Sequence, residues 1–411
     1  MRETAPEGRG PVRYGPPVPE SGRSVPPELA ALLAAAAGRT APEPPGGGPV
    51  LREAAAGYWW RRGLRGHAED SLVAPGAPVL LLALLAAHGG DVLLPRPCPA
   101  WWTPQIRLLG RFAYHVPTTP EAGGVPDPYA LLETVRRVRA EGGDPRVLLL
   151  SVADDPTAGV APPELVRESC EAAVAEGLHV ISDETWRDTL HHPQDTVLVS
   201  PAEMCPDDVT VLADLAGGGL VPGSWPCAIA RFPTTGPARA DRYRDPRARV
   251  LDVLTALGAV PAAPVAPAVA HALGEPEDVS VPARRAAGVH GRLAAAAHRA
   301  VLDAGALARP PRAGRHLYAD LGPLRPGLAA HGVTDSLELE NHLTARLGRP
   351  VPGGHRFGDE PGALRVRLDT APLLGTTPPE RAETLAAREP ERLPQVANAL
   401  AALSAALREL A

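Results

Sequence analysis

Two acidic doublets, Asp154-Asp155 and Asp183-Glu184, each close an apolar run of strand character, and His191-His192 lies a few residues beyond the second. Carboxylates and imidazoles beside strand ends can hold or move protons, so Asp155, Asp183 and His191 are candidate acid or base groups. The histidines with Asp195 also read as a solvated loop. No further ligand spacing makes them a metal centre, and no metal is expected. Gly217 to Gly219 can form an anion nest, although such a run reads first as a flexible turn. Arg365 and Arg367, two apart in Leu364-Arg-Val-Arg-Leu368, share one face of a strand, either in a site or on the surface. Cys98, Cys170, Cys205 and Cys227 lie far apart without a CxxC pair, which argues against a structural zinc or a disulfide scaffold and for free buried thiols. There is no nucleophile elbow and no Walker loop. Most telling is an absence: the 411 residues contain 41 arginines and no lysine, hence no side-chain primary amine. An ordinary charged content shared equally would supply roughly 25 lysines. Codon bias toward Arg, Ala, Pro and Gly accounts for much of the depletion.

These residues need elements to position them. Residues 1–27, rich in Pro, Gly and charge, read as an extended arm. Short helices are expected at 29–37 and 51–62. Val79 to Ala87, between Pro75-Gly-Ala-Pro78 and His88-Gly-Gly90, reads as a buried helix with proline near its start and glycine past its end. Strands at 92–94, 147–152, 179–182 and 209–213 alternate with helices at 129–140 and 163–176, which predicts a largely parallel sheet covered on both faces. In such sheets ligands sit beyond the carboxyl ends of the strands, where the acidic doublets fall. Further along, a helix at 283–306, strands at 316–320 and 364–368, and helices at 336–347 and 393–410 make a smaller α+β unit. With 45% apolar and 21% charged residues and a net charge of −6, the chain has the balance of a soluble globular protein without a basic footprint for nucleic acid or anionic membrane. A cytoplasmic location is expected, because no signal-peptide pattern or long apolar run is present.

Several segments, in this order, resemble the class I/II aminotransferases, pyridoxal phosphate enzymes of fold type I. They are Leu51-Arg-Glu53 followed by Tyr58, Gly76-Ala77, Asp91-Val-Leu-Leu-Pro95, Asp154-Asp-Pro-Thr157, Ser182-Asp-Glu184, Val221-Pro-Gly223 and Leu364-Arg-Val-Arg-Leu368. The resemblance runs from about residue 50 to 375 and lies in collinear spacing. It implies an α/β fold with a mostly parallel large domain at 66–275 and a smaller α+β domain at 276–411. Residues 1–65 would supply the arm and a helical part of the small domain.

The resemblance also assigns roles. Gly76-Ala77 would open the helix that cradles the cofactor phosphate, with Pro78 withholding one donor. Asp183 would pair with the pyridine nitrogen, and Arg367 would grip a substrate carboxylate through two hydrogen bonds. The ring-stacking aromatic falls on Pro99, with Trp101 or Trp102 as a substitute. Several positions depart from the pattern, among them Ala158, where a glycine is expected. The lysine position falls on Gly218 and the phosphate arginine on Pro226; the asparagine and the tyrosine that serve the ring hydroxyl fall on Asp155 and Trp186. Without an amine no internal aldimine forms. The expectation is therefore an aminotransferase-like pseudoenzyme that does not transaminate, and that binds a small carboxylate at Arg367 or supports an active partner. It would form a homodimer, or a heterodimer with an active aminotransferase-like subunit. The alternative is a pyridoxal-phosphate-independent enzyme of specialised biosynthesis using the old pocket. No covalent cofactor is expected; a third reading keeps pyridoxal phosphate noncovalently between Asp183 and the Gly76 helix.

Overall fold

The structure, a computed structural model, describes residues 25–118, 123–233 and 245–410. The expected arm lies almost wholly outside the described residues. Seven strands form the main sheet: β1 (Ser71–Ala74), β2 (Asp91–Arg96), β3 (Ala113–Pro117), β4 (Pro145–Ser151), β5 (His179–Asp183), β6 (Val209–Asp214) and β7 (Ala228–Arg231). Their order is β1-β7-β6-β5-β4-β2-β3; β7 runs antiparallel to both neighbours and the other pairings are parallel. The continuous apolar runs of β4 to β6 follow from burial on both faces. Leu148, Val180 and Val211 enter one hydrophobic cluster, Leu149, Ile181 and Leu212 the other.

The helix Ala77–His88 is apolar all round because it is enclosed between the sheet and the helix Pro246–Ala256, and Leu80, Leu81, Leu84 and Leu85 are fully buried. Gly76 precedes it at φ 106° and Gly89 ends it at φ 77°, conformations that a side chain would strain. On the opposite face lie the helices Pro128–Ala140, Pro163–Ala175 and Ala266–Leu273. Leu29, Leu51, Tyr58, Trp59 and Leu64 join that same cluster, so the helices Pro27–Ala36 and Pro49–Trp60 belong to the large sheet layer and not, as expected, to the small domain.

A second layer holds β8 (Leu307–Ala308), β9 (His316–Asp320) and β10 (Arg365–Asp369) in the order β10-β9-β8, covered by the helices Glu277–Asp303, Ser336–Leu347 and Pro394–Arg408. The helix Glu277–Asp303 starts six residues before the expected 283. Pro282 interrupts only its early turns, and Glu277 and Asp278 favour the positive helix start. The sequence reading did not place β1, β3, β7 or the two-residue β8.

At the rim of the sheet, His88 and His179 stack with ring centroids 3.9 Å apart. Burial lowers both, His179 to about 3, and their mutual repulsion lowers His88 further. Folded, they stay neutral; unfolded, they protonate near pH 6.5. Stability should therefore be level above about pH 6.5 and fall as the pH drops below it. A His88→Phe variant keeps the stack and removes one titration, so its urea midpoint should decline less than that of the wild type between about pH 6.5 and 4.5.

Candidate functional site

The register pairs Ser151 with Asp183 and Asp183 with Leu212, which levels the carboxyl ends of β4, β5 and β6. Three loops consequently meet at one edge, each opening on a carboxylate. After β4, Asp154 is an internal strut: it accepts from Ser151 Oγ at 2.8 Å, Thr157 Oγ1 at 2.6 Å and Thr157 N at 3.2 Å. Burial raises it to about 7 against the pull of these donors. Ala158, where the resemblance expects glycine, holds φ 58°.

Asp155, 4% exposed, turns toward the second layer. Its Oδ1 accepts from Arg367 Nη1 at 2.7 Å and lies 3.7 Å from His316 Nε2. Arg367 also pairs with Asp369, Nε to Oδ1 at 3.0 Å, and its guanidinium stands 5.3 Å from the Phe357 ring centroid. Burial lowers the Arg367 pKa, but Asp155 and Asp369 outweigh it and hold the arginine charged. Arg365, on the same strand face by spacing, pairs instead with Asp320 and Asp359.

After β5, Asp183 Oδ1 accepts from Thr185 N at 3.0 Å and Thr185 Oγ1 at 2.6 Å. Burial raises the carboxyl to about 7, with Asp214 and Asp155 adding to the rise. Trp186 is buried edge-on to His316 at 5.5 Å, and Arg315 sits 5.6 Å from its ring. After β6, Asp214 Oδ1 accepts from Ala216 N at 3.0 Å and Gly217 N at 2.9 Å. Burial raises its pKa against the pull of these amides and of the Ala77 amide, at the start of the helix Ala77–His88, which lines one cavity with it. The Thr185 hydroxyl joins these loops by accepting from Asp214 N at 3.0 Å.

Ala77, Trp101, Asp155, Asp183, Trp186 and Asp214 thus come together around a cavity of about 10 Å³, room for about one water molecule. Trp102 does not line it; Trp101 and Pro99 do, while Trp102 is buried in the hydrophobic layer behind. His191 is also elsewhere. Its ring nitrogens face the carbonyls of Pro311 at 3.2 Å and Gly314 at 3.0 Å, and burial lowers its pKa. Gly218 borders a neighbouring cavity with His290 and Arg315. Sequence reasoning missed Asp214 and His316. Asp214 stood in plain view four residues before Gly218, but the cavity it shares with Ala77 joins positions far apart in the chain.

The model of the family described as aminotransferase class I and II matches residues 22–213. A probable aspartate/prephenate aminotransferase of Thermus aquaticus is 30% identical over 174 residues, 42% of this chain and 43% of that protein. The aspartate/prephenate aminotransferase of Thermus thermophilus is 32% identical over 148 residues, 35% and 36% of the two chains. The matched stretch is therefore less than half the length of either relative. Among solved structures, aspartate aminotransferase from Thermus thermophilus with maleate superposes with a TM-score of 0.76 at 21% identity, covering 95% of this chain and 90% of that one. N-Succinyldiaminopimelate aminotransferase from Mycobacterium tuberculosis gives 0.73 at 23% identity, covering 95% and 92%. The chain is class I/II aminotransferase-like. Its architecture is the expected α/β fold of the type I pyridoxal phosphate transferases. The family match ends at Ala213, one residue before the loop that opens with Asp214.

Pyridoxal phosphate does not fit the residues present in this aminotransferase-like pocket. A Cβ at Gly218 would lie 2.7 Å from the Thr185 carbonyl oxygen and 3.1 Å from that of Asp214. Pro226, which carries no donor, packs within 3.5 Å of where a Gly76 Cβ would stand. The Asp214 carboxylate lines the same cavity as Ala77, at the helix start where the resemblance would put the phosphate.

Asp183 supports a prediction of its own. Folded, it keeps its proton to about pH 7; unfolded, it loses it near pH 4. Its ionisation therefore removes stability as the pH rises through that window. Asp183→Asn should raise the unfolding free energy measured by urea denaturation at about pH 8, by on the order of 1 kcal/mol or more, and leave it nearly unchanged at about pH 4.

Proposed function

We propose that this aminotransferase-like chain is a non-transaminating pseudoenzyme. It would work without pyridoxal phosphate and pair with itself or with an active aminotransferase-like subunit. One observation carries the reading: at Gly218, where the resemblance would put the Schiff-base lysine, the Thr185 carbonyl closes the space that any side chain would need. The absence of lysine from the whole chain supports it, since no neighbouring amine can substitute. The carboxylate ligand expected at Arg367 is not part of this reading, because Asp155 already supplies that guanidinium with a carboxylate.

The experiment is reconstitution. Wild-type protein mixed with pyridoxal phosphate should emerge from dialysis colourless, show no borohydride-trapped adduct, and give no amino transfer from aspartate to a keto acid. Gly218→Lys should also fail to trap the cofactor, and should lose about 1–3 kcal/mol of stability through the forced contact with Thr185. A trapped adduct, or turnover by the purified chain, would sink the proposal.

A second reading, cofactor-free acid–base chemistry, has one observation in its favour: a buried carboxyl, Asp183, is raised to about 7 inside a cavity. It expects a turnover whose pH profile bends near 7 and which Asp183→Asn abolishes.

A further inference from the structure

We infer that Asp155 and Asp214 are built-in replacements for two external anions, and that together they make the pocket refuse small anions. The inference deepens the non-transaminating reading and rests on it.

At the first station, Arg367 is the cation that would attract a carboxylate. Asp155 Oδ1 stands 2.7 Å from Nη1 and Asp369 Oδ1 stands 3.0 Å from Nε, so one positive charge already faces two negative ones. The Asp155 side chain is 5% exposed and that of Arg367 is 16% exposed, and water screens the group weakly. An incoming carboxylate would have to displace Asp155 and leave it buried without its partner, or sit beside it as a third negative charge. His316, 3.7 Å from Asp155, adds no compensating charge, because burial lowers its pKa despite the pull of Asp155.

At the second station, the start of the helix Ala77–His88 offers amides where an anion would be held. Asp214 faces Ala77 across the same cavity, accepts the amides of Ala216 and Gly217, and puts its carboxylate where such an anion would lie. Pro78, the next helical residue, has no N–H, and Pro226 packs over Gly76. Burial raises the Asp214 pKa and the backbone amides lower it, so these donors are what stabilise its charged form. The two stations share a design. A short carboxylate, fixed by its own backbone, takes the seat of a dissociable ligand and needs no binding event.

Asp155 also joins the layers. It follows β4 of the main sheet, whereas Arg367 lies on β10 of the second. A contact between layers that an external carboxylate could have made is here permanent.

The test uses the full chain and probes other than pyridoxal phosphate, so its failure is separable from failure of the functional reading. Calorimetric titration of the wild type with succinate or inorganic phosphate should give no binding heat. Asp155→Asn, which keeps the size and a hydrogen-bonding oxygen but drops the charge, should bind succinate at least tenfold more tightly than the wild type. Its response to phosphate should not change. Asp214→Ser should show the reverse selectivity, and adding Arg367→Gln to Asp155→Asn should cancel the gain for succinate. Thermal melting of the wild type covers the case in which a variant does not fold: succinate or phosphate should shift it no more than chloride of equal ionic strength. A specific upward shift of the wild type, or a folded Asp155→Asn protein that binds no better than its parent, overturns the inference.

Discussion

The ion pair between Asp155 and Arg367 is the contact around which this molecule is arranged. A buried guanidinium is costly unless its charge is matched, and a carboxylate 4% exposed is equally costly alone. Each satisfies the other across the boundary between the seven-stranded layer and the three-stranded layer. Asp154, bound by Ser151 and Thr157, stiffens the loop that presents Asp155, and Asp369 braces the arginine from the same strand. His316 and Trp186 pack edge to face beside the pair, so the aromatic wall and the ion pair support one another.

The same economy governs the sheet edge. Parallel strands with level carboxyl ends bring three acidic loops together, an arrangement that would repel itself if every carboxylate were charged and unpaired. The chain resolves this in three ways. Asp155 takes a cation, Asp214 takes backbone amides, and Asp183 is raised to about 7 by burial. In a pocket that binds a phosphorylated cofactor, positive groups would instead face the cavity. Here the cavity is lined by Asp155, Asp183 and Asp214 together with Trp101 and Trp186.

Much of the architecture was legible along the chain. The apolar runs of β4, β5 and β6 announced buried parallel strands, and the helix Ser336–Leu347 and the strand His316–Asp320 fall where periodicity put them. The helices before residue 65 were misassigned to the small domain because an amphipathic pattern states that a face is buried and does not name the surface that buries it. For the same reason Trp102, conspicuous beside Trp101, proved to be a core residue while its neighbour met the cavity. His191 could be read as a proton carrier only until its two backbone carbonyl contacts were seen.

Composition alone determined that no lysine side chain can supply the amine of an internal aldimine, because a missing residue is missing from every possible fold. Collinear spacing likewise placed Asp183, Arg367 and the helix start at Gly76 in one resemblance. What only the tertiary structure decided is where the compensating charges go. Asp155 and Arg367 are 212 residues apart, and Asp214 comes to line one cavity with Ala77. Such pairings depend on which strand ends are level and which loops face one another. Those are properties of strand order and register that no local pattern encodes.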